Sequence, residues 1–371
     1  MPKSARSRTR VCLTALLATV SAVGAACGGQ GSSTQTTQTG RAQTDTAAQA
    51  GAAWIARSLD PSGAVVDAES KKPSAGDTAE AILAMVAAGR EAGDTKAAVF
   101  WLEHNFSSYV SQKGSDSPGA LGTVVLAAVA AGASPTHFGG NAPSNDLVAR
   151  LEATEQLHGA SAGVFGPVAS ANAFSQSLAV LALASAGIHG AALDLGEAYL
   201  ASRQCTDGGW EYSLATPCTQ ADPKTYTGPD TNSTSLAVMA IIAAEGRMSY
   251  SPLQFFESSQ ETDGSFGYYG VSGDGQAGDP DSTAEVVQAL IALGAAKDSQ
   301  FVRSHNTPEQ ALARFQYGCG APKTKRGEFA YYGSPSQLAT LQAVPAIAGD
   351  AFPLGGRRLA GPLPGLSCSA Q

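Results

Sequence analysis

Six stretches of the chain are apolar at nearly every position over about eight residues, and they resemble one another. A helix that is apolar on all sides is buried, so each stretch predicts an inner helix of the fold. Most of them end near a glycine, which readily adopts the left-handed conformation found at helix ends. The stretches begin at Thr78, Gly122, Gln176, Thr234, Thr283 and Gln337, and the glycines are Gly89, Gly132, Gly187, Gly246 and Gly294.

More polar stretches precede five of these inner helices, and each has one apolar face. They predict outer helices with one face in solvent. Six repeats of such a hairpin predict an all-α fold, a single-domain (α/α)₆ toroid over residues 46–354, because ring closure leaves no end repeat exposed. A linear solenoid is the alternative, since a hairpin repeat alone does not require closure. The outer stretches are residues 94–110, 146–157, 191–203, 252–259 and 308–317.

The loops between outer and inner helices combine glycine with an aromatic residue. The clearest examples begin at Asp207, Asp263 and Gly327, with weaker versions at Asp60 and Gly163. Glycine permits a tight turn at such a position. The aromatic residue is expected to plug the loop.

The N-terminal segment predicts export. Lys3 and three arginines precede an apolar run over residues 11–23 and then small residues, which is the pattern of a signal peptide over residues 1–26. The sequence from Gly24 to Cys27 resembles the lipobox of bacterial lipoproteins, although the family usually has leucine where Gly24 stands. The resemblance implies lipidation of Cys27, and ordinary cleavage without lipidation is the alternative.

Residues 27–45 are rich in Gln, Thr, Ser and Gly, and this composition predicts a disordered tether that begins at the lipidated cysteine. The mature protein is therefore expected at the outer face of the cytoplasmic membrane, held by its lipid. Residues 355–371 form the predicted C-terminal tail.

The charge of the mature chain argues against nucleic acid as a partner. Without the signal peptide the chain keeps 19 basic residues against 31 acidic ones, a net charge of −12. Proteins that bind nucleic acid carry basic surfaces that neutralise phosphates.

Four cysteines remain after the signal and the anchor are set aside, and an exported chain is expected to form two disulfides from them. Spacing alone leaves the connectivity open. The favoured pairs are Cys205 with Cys218, which closes a loop, and Cys319 with Cys368, which ties the tail to the last repeat. Metal ligation is the alternative, but no two of these cysteines have the CxxC spacing typical of metal sites.

Two loops carry a recognisable family motif. The segments Gln204-Cys-Thr-Asp-Gly-Gly-Trp and Gln260-Glu-Thr-Asp-Gly-Ser-Phe resemble the repeats of squalene and hopene cyclases. The resemblance implies the α/α toroid shared by terpenoid cyclases, protein prenyltransferase β-subunits, cobalamin carriers and complement thioester domains. Because activities diverge widely within this superfamily, it predicts the fold far better than any function.

The same resemblance places reactive groups just before the inner helices, at one mouth of the ring. A carboxylate at such a position can bind a ligand or can cap its helix, and capping is the preferred interpretation for any single one. The residues at these positions are Asp77, Asn172, Asp230, Asn232, Asp279, Asp281 and Tyr331.

One mouth segment suggests an enzymatic alternative. The sequence Asp279-Pro-Asp-Ser-Thr-Ala resembles the D-x-D-D-T-A motif of class II terpenoid cyclases, and the resemblance makes Asp281 the proton donor. Ser282 stands where the family has a further Asp. These cyclases also use a second helical domain, and this chain has room for one toroid only.

Other chemistries have weaker motifs. The zinc of the prenyltransferases requires an Asp, Cys and His set that begins with D-x-C, and that set is absent, so no metal and no cofactor is predicted. A carbohydrate-active (α/α)₆ enzyme is a further alternative, with Asp230 and Asp281 as its acid and base.

These observations predict a non-catalytic toroid at the cell surface that binds a small molecule or a surface protein. Aromatic and polar residues near the mouth would contact the ligand, although the aromatic plugs also have a purely structural interpretation. The predicted binding residues are Asp77, Trp210, Tyr212, Tyr226, Asp230, Asn232, Phe266, Tyr268, Asp281 and Tyr331.

Overall fold

The computed structural model describes residues 33–215, 217–222, 225, 227–269, 278–355, 359–362 and 368. Side chains are described from Thr46 onwards. The predicted signal peptide and Cys27 therefore lie outside the described residues. The first helix, α1, spans Ser33–Ser58 and so includes part of the predicted tether, which stays a prediction.

The described residues are mostly helical, with four small hairpins. The helices are α1, α2 Ala75–Ala87, α3 Ala92–Asn105, α4 Ser107–Val110, α5 Pro118–Ala130, α6 Leu147–Glu152, α7 Ala173–Ser185, α8 Ala191–Ala201, α9 Thr231–Ala243, α10 Pro252–Ser259, α11 Pro280–Ala292, α12 Pro308–Ala313 and α13 Gln337–Ile347. The antiparallel strand pairs are β1 Val65–Val66 with β2 Pro73–Ser74, β3 Ser111–Gln112 with β4 Ser115–Asp116, β5 Trp210–Glu211 with β6 Pro229–Asp230, and β7 Phe329–Tyr331 with β8 Ser334–Ser336.

The inner helices form a closed ring, as the repeat predicts. In chain order α2, α5, α7, α9, α11 and α13 each contact the next, and α13 returns to contact α2. The outer helices α1, α3, α6, α8, α10 and α12 pack around them. The ring closes because α1 packs against α12, α13 and α2, so the first hairpin is in contact with the last.

The N-cap residues define the true register of the repeat. They are Ser74, Ser117, Asn172, Asp230, Asp279 and Ser336, and each side chain accepts a backbone N–H from the first turn of its inner helix.

In four repeats, a threonine four residues after the cap joins the helix to its loop. The Thr234 hydroxyl donates to the Asp230 carbonyl at 2.6 Å and accepts the Trp210 N–H at 2.9 Å, and Thr340 does the same for Ser336 and Phe329. Thr78 and Thr283 make the equivalent bonds. The sequence alignment was therefore wrong by three residues in the sixth repeat, where Thr340 and not Gln337 matches Thr234. It was wrong by one residue in the second repeat, where Leu121 and not Gly122 lies four residues after the cap Ser117.

The loops before the inner helices are locked by a glutamine and a glycine. The Gln204 amide nitrogen donates to the carbonyls of Gly208 and Tyr250, and so ties its own loop to the chain just before the next outer helix. Gly208 has φ +95°, and a Cβ there would clash with the Ser251 carbonyl. This close approach explains why the motif needs glycine at that position.

One predicted helix end differs. In α9 the left-handed residue is Glu245, with φ 57°, and not Gly246. A Cβ on Gly246 would meet the Glu197 carboxylate, so a larger residue there would require the Glu197 side chain to move.

Both predicted disulfides are present. Cys205 is bonded to Cys218, and Cys319 is bonded to Cys368. Paired cysteines of this kind indicate an oxidising, extracytoplasmic compartment. Across the described residues, we find no helix with the length and apolar character needed to cross a membrane.

Candidate functional site

The predicted mouth residues divide into helix caps and free carboxyl groups. Asn172, Asp230 and Asp279 are caps, each accepting the N–H of the residue three positions later at 2.7 to 2.9 Å. Asp77 and Asp281 do not cap, because Ser74 and Asp279 cap those helices. Capping therefore accounts for three of the polar residues at this rim.

A cavity lies inside the ring, and all six inner helices line it. One residue from each helix, the sixth after its N-cap, forms a belt around the cavity. We call this set the cavity belt. In ring order it consists of Glu80, Thr123, Leu178, Leu236, Glu285 and Gln342.

The cavity belt has a polar side and an apolar side. Glu285, Gln342, Glu80 and Thr123 are consecutive around the ring, because α11, α13, α2 and α5 are neighbours. The opposite side carries Leu178 and Leu236. The cavity is therefore amphipathic across its width.

Further lining residues are mainly apolar. Leu83, Leu126, Gln288 and Pro345 lie one turn beyond the belt, and Phe174 lies one turn before it. Phe352, from the chain that follows α13, contributes to the lining near the C-terminal ends of the inner helices.

Acidic groups extend from the mouth to the cavity on two helices. Asp77 precedes Glu80 on α2, and Asp281 precedes Glu285 on α11, so each pair lies on one helix face. Four lining or mouth oxygens have no hydrogen-bond partner in the described part of the chain. They are Glu80 Oε2, Asp281 Oδ1, Glu285 Oε2 and Gln288 Oε1.

The surroundings of these acids favour their neutral forms. Burial, followed by repulsion from Asp77, Glu285 and Asp281, raises the pKa of Glu80 to about 8. Burial, followed by the charge of Asp281, raises the pKa of Glu285 to about 8. Burial and then Asp279 raise the pKa of Asp281 to about 7.

The Asp230 carboxyl group is enclosed by the protein and has a structural role. It is 1% exposed, its Oδ1 accepts the Ser233 N–H, and it is hydrogen-bonded to Tyr268. Burial raises the pKa of Asp230 to about 7 and raises the pKa of Tyr268. A carboxyl group enclosed in this way cannot reach a sugar, which argues against Asp230 as half of a glycosidase pair.

Three of the tyrosines predicted to bind a ligand lie in different parts of the chain. Tyr212 is 51% exposed, and its ring centroid lies 5.6 Å from that of Phe174, a lining residue. Tyr331 is part of β7, and burial followed by the charge of Asp279 raises its pKa to about 12. Tyr226 lies outside the described residues.

The aromatic plugs are parts of the wall. Trp210 and Phe266 are completely buried, and the Trp210 indole N–H donates to the Leu200 carbonyl at 2.9 Å. Such residues have no surface to offer a ligand, so we leave them out of the site. Asn232 lies in the first turn of α9, where its Oδ1 accepts the Thr231 hydroxyl.

Sequence reasoning missed Glu80 and Glu285. The signal was the pair of segments Thr78-Ala-Glu and Thr283-Ala-Glu, in which glutamate stands where two other repeats have leucine. A charged residue inside a helix that is otherwise apolar on all sides indicates a special environment.

Within the described ranges, no group of three His, Cys, Asp or Glu side chains is arranged to hold a metal ion.

Comparisons with known proteins give the fold and no closer relationship. No protein-family model matches the sequence, and no curated protein matches it. Among solved structures, the apo type II terpene cyclase MstE from Scytonema matches with a TM-score of 0.54 and 13% identity, over 83% of this chain and 98% of that one. A variant of that enzyme in complex with geranylgeranyl dihydroxybenzoate matches with a TM-score of 0.53 and 14% identity, over 84% and 98% of the two chains.

An α-amylase from Clostridium perfringens also matches, with a TM-score of 0.52 and 12% identity, over 80% of this chain and 95% of that one. This chain has the α/α toroid fold of the type II terpene cyclases, in agreement with the resemblance of its loop motifs.

Proposed function

We propose that this protein binds a largely apolar small molecule in the central cavity of its toroid, at the outer face of the membrane and without catalysis. The observation that carries the proposal is the cavity enclosed by the six inner helices, whose lining is mostly apolar with a few glutamate and glutamine side chains. Mainly apolar pockets with a few convergent polar groups are typical of small-molecule sites.

The test is binding of a neutral apolar dye, N-phenyl-1-naphthylamine, followed by its fluorescence. We expect saturable binding to the mature protein and at least a tenfold weaker affinity in Leu178→Trp, because the indole would fill the apolar side of the cavity belt. Leu157→Trp is the matched control, since Leu157 is 58% exposed on the outer surface. Equal affinities in the two variants would rule out the cavity as the site.

The membrane location is also a proposal. Its support is the N-terminal sequence up to Cys27, together with the two disulfides. In the native host, we expect Cys27→Ser to move the protein from the membrane fraction to the soluble fraction and to abolish incorporation of labelled fatty acid. Cys12→Ser, within the predicted signal peptide, is the control and should change neither. Retention of fatty acid by the Cys27 variant would contradict lipidation.

A second candidate function is proton-initiated cyclisation of an isoprenoid with Asp281 as the acid. The observation in its favour is an Asp281 carboxyl group with raised pKa and an unpartnered Oδ1 in the described structure, at the mouth of a cyclase-type toroid. Ser282 weakens it, because it stands where the cyclase motif has a further Asp and its hydroxyl donates to Asp279.

This candidate predicts that the mature protein converts geranylgeranyl dihydroxybenzoate to a cyclic product, and that Asp281→Asn lowers the rate about 100-fold or more by removing the proton donor. Product would be measured by mass spectrometry after chromatography. Asp298→Asn, on the loop after α11, should keep the full rate. The absence of any cyclic product from the wild-type protein would eliminate the candidate.

A further inference from the structure

We propose that the ligand of the central cavity is an apolar amine, whose nitrogen binds between Glu80 and Glu285 and whose hydrocarbon part packs against Leu178 and Leu236. The inference rests on the proposed binding function and names the chemical class of its ligand.

The polarity of the cavity belt supports this assignment. Glu80 and Glu285 occupy equivalent positions of two repeats, on α2 and α11, with Gln342 of α13 between them. The leucines at the equivalent positions of α7 and α9 form the other side. A molecule that fills the cavity across its width must therefore be polar at one end and apolar at the other.

The unpartnered atoms of the cavity indicate which hydrogen-bonding groups the polar end of the ligand must supply. Glu80 Oε2, Glu285 Oε2 and Gln288 Oε1 are buried oxygens without a partner among the described residues. Glu285 is only 8% exposed and Gln288 only 1%, and both line the cavity. The Gln288 amide oxygen can only accept a hydrogen bond, and so can both oxygens of a glutamate that has lost its proton, so a ligand rich in N–H donors is favoured over one that offers only acceptors.

The charge of the described lining also favours a cation. Among the described residues, the lining contains two carboxyl groups and no Lys, Arg or His. The charged groups that raise the pKa of Glu80 are Asp77, Glu285 and Asp281, and the charged group that raises the pKa of Glu285 is Asp281, so all of them are acids. Thr123 completes the polar side of the lining, and Tyr109, whose pKa is raised in part by Glu80, is near it. Each of these acids, when ionised, attracts an entering cation and repels an anion.

Binding of an ammonium ion would be coupled to a proton. At neutral pH the buried glutamates favour their protonated forms, so a bound ammonium ion displaces a proton from one carboxyl group to solvent and pairs with the resulting carboxylate. Affinity for an amine should then rise with pH from about 6 to about 8, because fewer protons remain to be displaced at higher pH. A neutral alcohol of the same chain length carries no such dependence.

The experiment compares decylamine, decan-1-ol and decanoate by calorimetry and by displacement of N-phenyl-1-naphthylamine. At pH 8 we expect decylamine to bind at least tenfold more tightly than decan-1-ol, and decanoate to bind most weakly. The preference for the amine should disappear in Glu80→Gln/Glu285→Gln, which retains the shape of the cavity and should bind decan-1-ol within about twofold of the wild type. Glu69→Gln/Glu257→Gln removes the same charge from exposed positions and should keep the preference.

Equal affinities for the amine and the alcohol would overturn the inference, and so would an amine preference that survives in the cavity double variant. Either of these results would still be consistent with binding of an apolar molecule in the cavity. If neither the dye nor any of the three compounds binds, the proposed function is rejected, and the inference with it.

Discussion

Replacement of Trp210 by alanine is expected to lower the free energy of unfolding by about 3–5 kcal/mol, the range for a fully buried large aromatic residue. The side chain is completely buried between α8 and α9. The substitution removes the indole N–H bond to the Leu200 carbonyl, 2.9 Å long, and leaves a cavity in the wall of the ring.

Urea denaturation of the protein with its disulfides intact measures this loss. The matched control is Tyr212→Ala, two residues along the same loop, where the ring is 51% exposed and the cost should stay below about 1 kcal/mol. A Trp210 variant as stable as the Tyr212 variant would contradict a structural role for the plug. Dye binding in the refolded Trp210 variant should be unchanged wherever the protein remains folded, because Trp210 does not line the cavity.

The second large effect is on pH dependence. Glu80 and Glu285 have their pKa raised from 4.5 to about 8 in the folded protein, so the folded state holds protons that the unfolded state has already lost. Stability must then fall as pH rises from about 4.5 to about 8. Asp281, with a pKa of about 7, and Asp77, whose pKa is also raised, act in the same direction.

The double variant Glu80→Gln/Glu285→Gln removes the two largest contributions. At pH 8 it should be more stable than the wild type by about 5 kcal/mol or more, since a rise in the pKa of one carboxyl group from 4.5 to about 8 corresponds to about 5 kcal/mol, at about 1.4 kcal/mol for each pKa unit. The difference should vanish near pH 4.5, where both proteins carry neutral groups in the cavity.

Denaturation midpoints across this pH range provide the measurement. The exposed pair Glu69→Gln/Glu257→Gln should differ from the wild type by a small amount that does not change with pH. A cavity variant whose stability tracks the wild type at every pH would show that the two glutamates are not in an environment that disfavours charge.

Much of the architecture followed from local patterns along the chain. Apolar stretches predicted all six inner helices, and their number predicted the ring. The loops that combine glycine with an aromatic residue predicted buried plugs at Trp210 and Phe329. These features are readable because burial on all sides, tight turns and left-handed glycines each restrict residue type locally.

The candidate site was harder to predict. Asp230 and Asp279 precede inner helices, where a carboxylate could either cap the helix or bind a ligand, and the sequence does not distinguish the two roles. Their hydrogen bonds with the Ser233 and Ser282 N–H groups identify them as caps. A helix apolar on all sides also gives no indication of which face meets the ring axis. Glu80 and Glu285 were therefore passed over.

By itself, then, the sequence determined the helical hairpin and its six repeats, and it favoured the cysteine pairs without fixing them. Only the tertiary structure decided the register of the sixth repeat, the separation of caps from free carboxyl groups and the arrangement of a polar side opposite an apolar side in the cavity. Caps and register depend on short-range hydrogen bonds that several residues near each helix start could make. The two sides of the cavity belong to residues on different helices, which become neighbours only when α13 closes against α2.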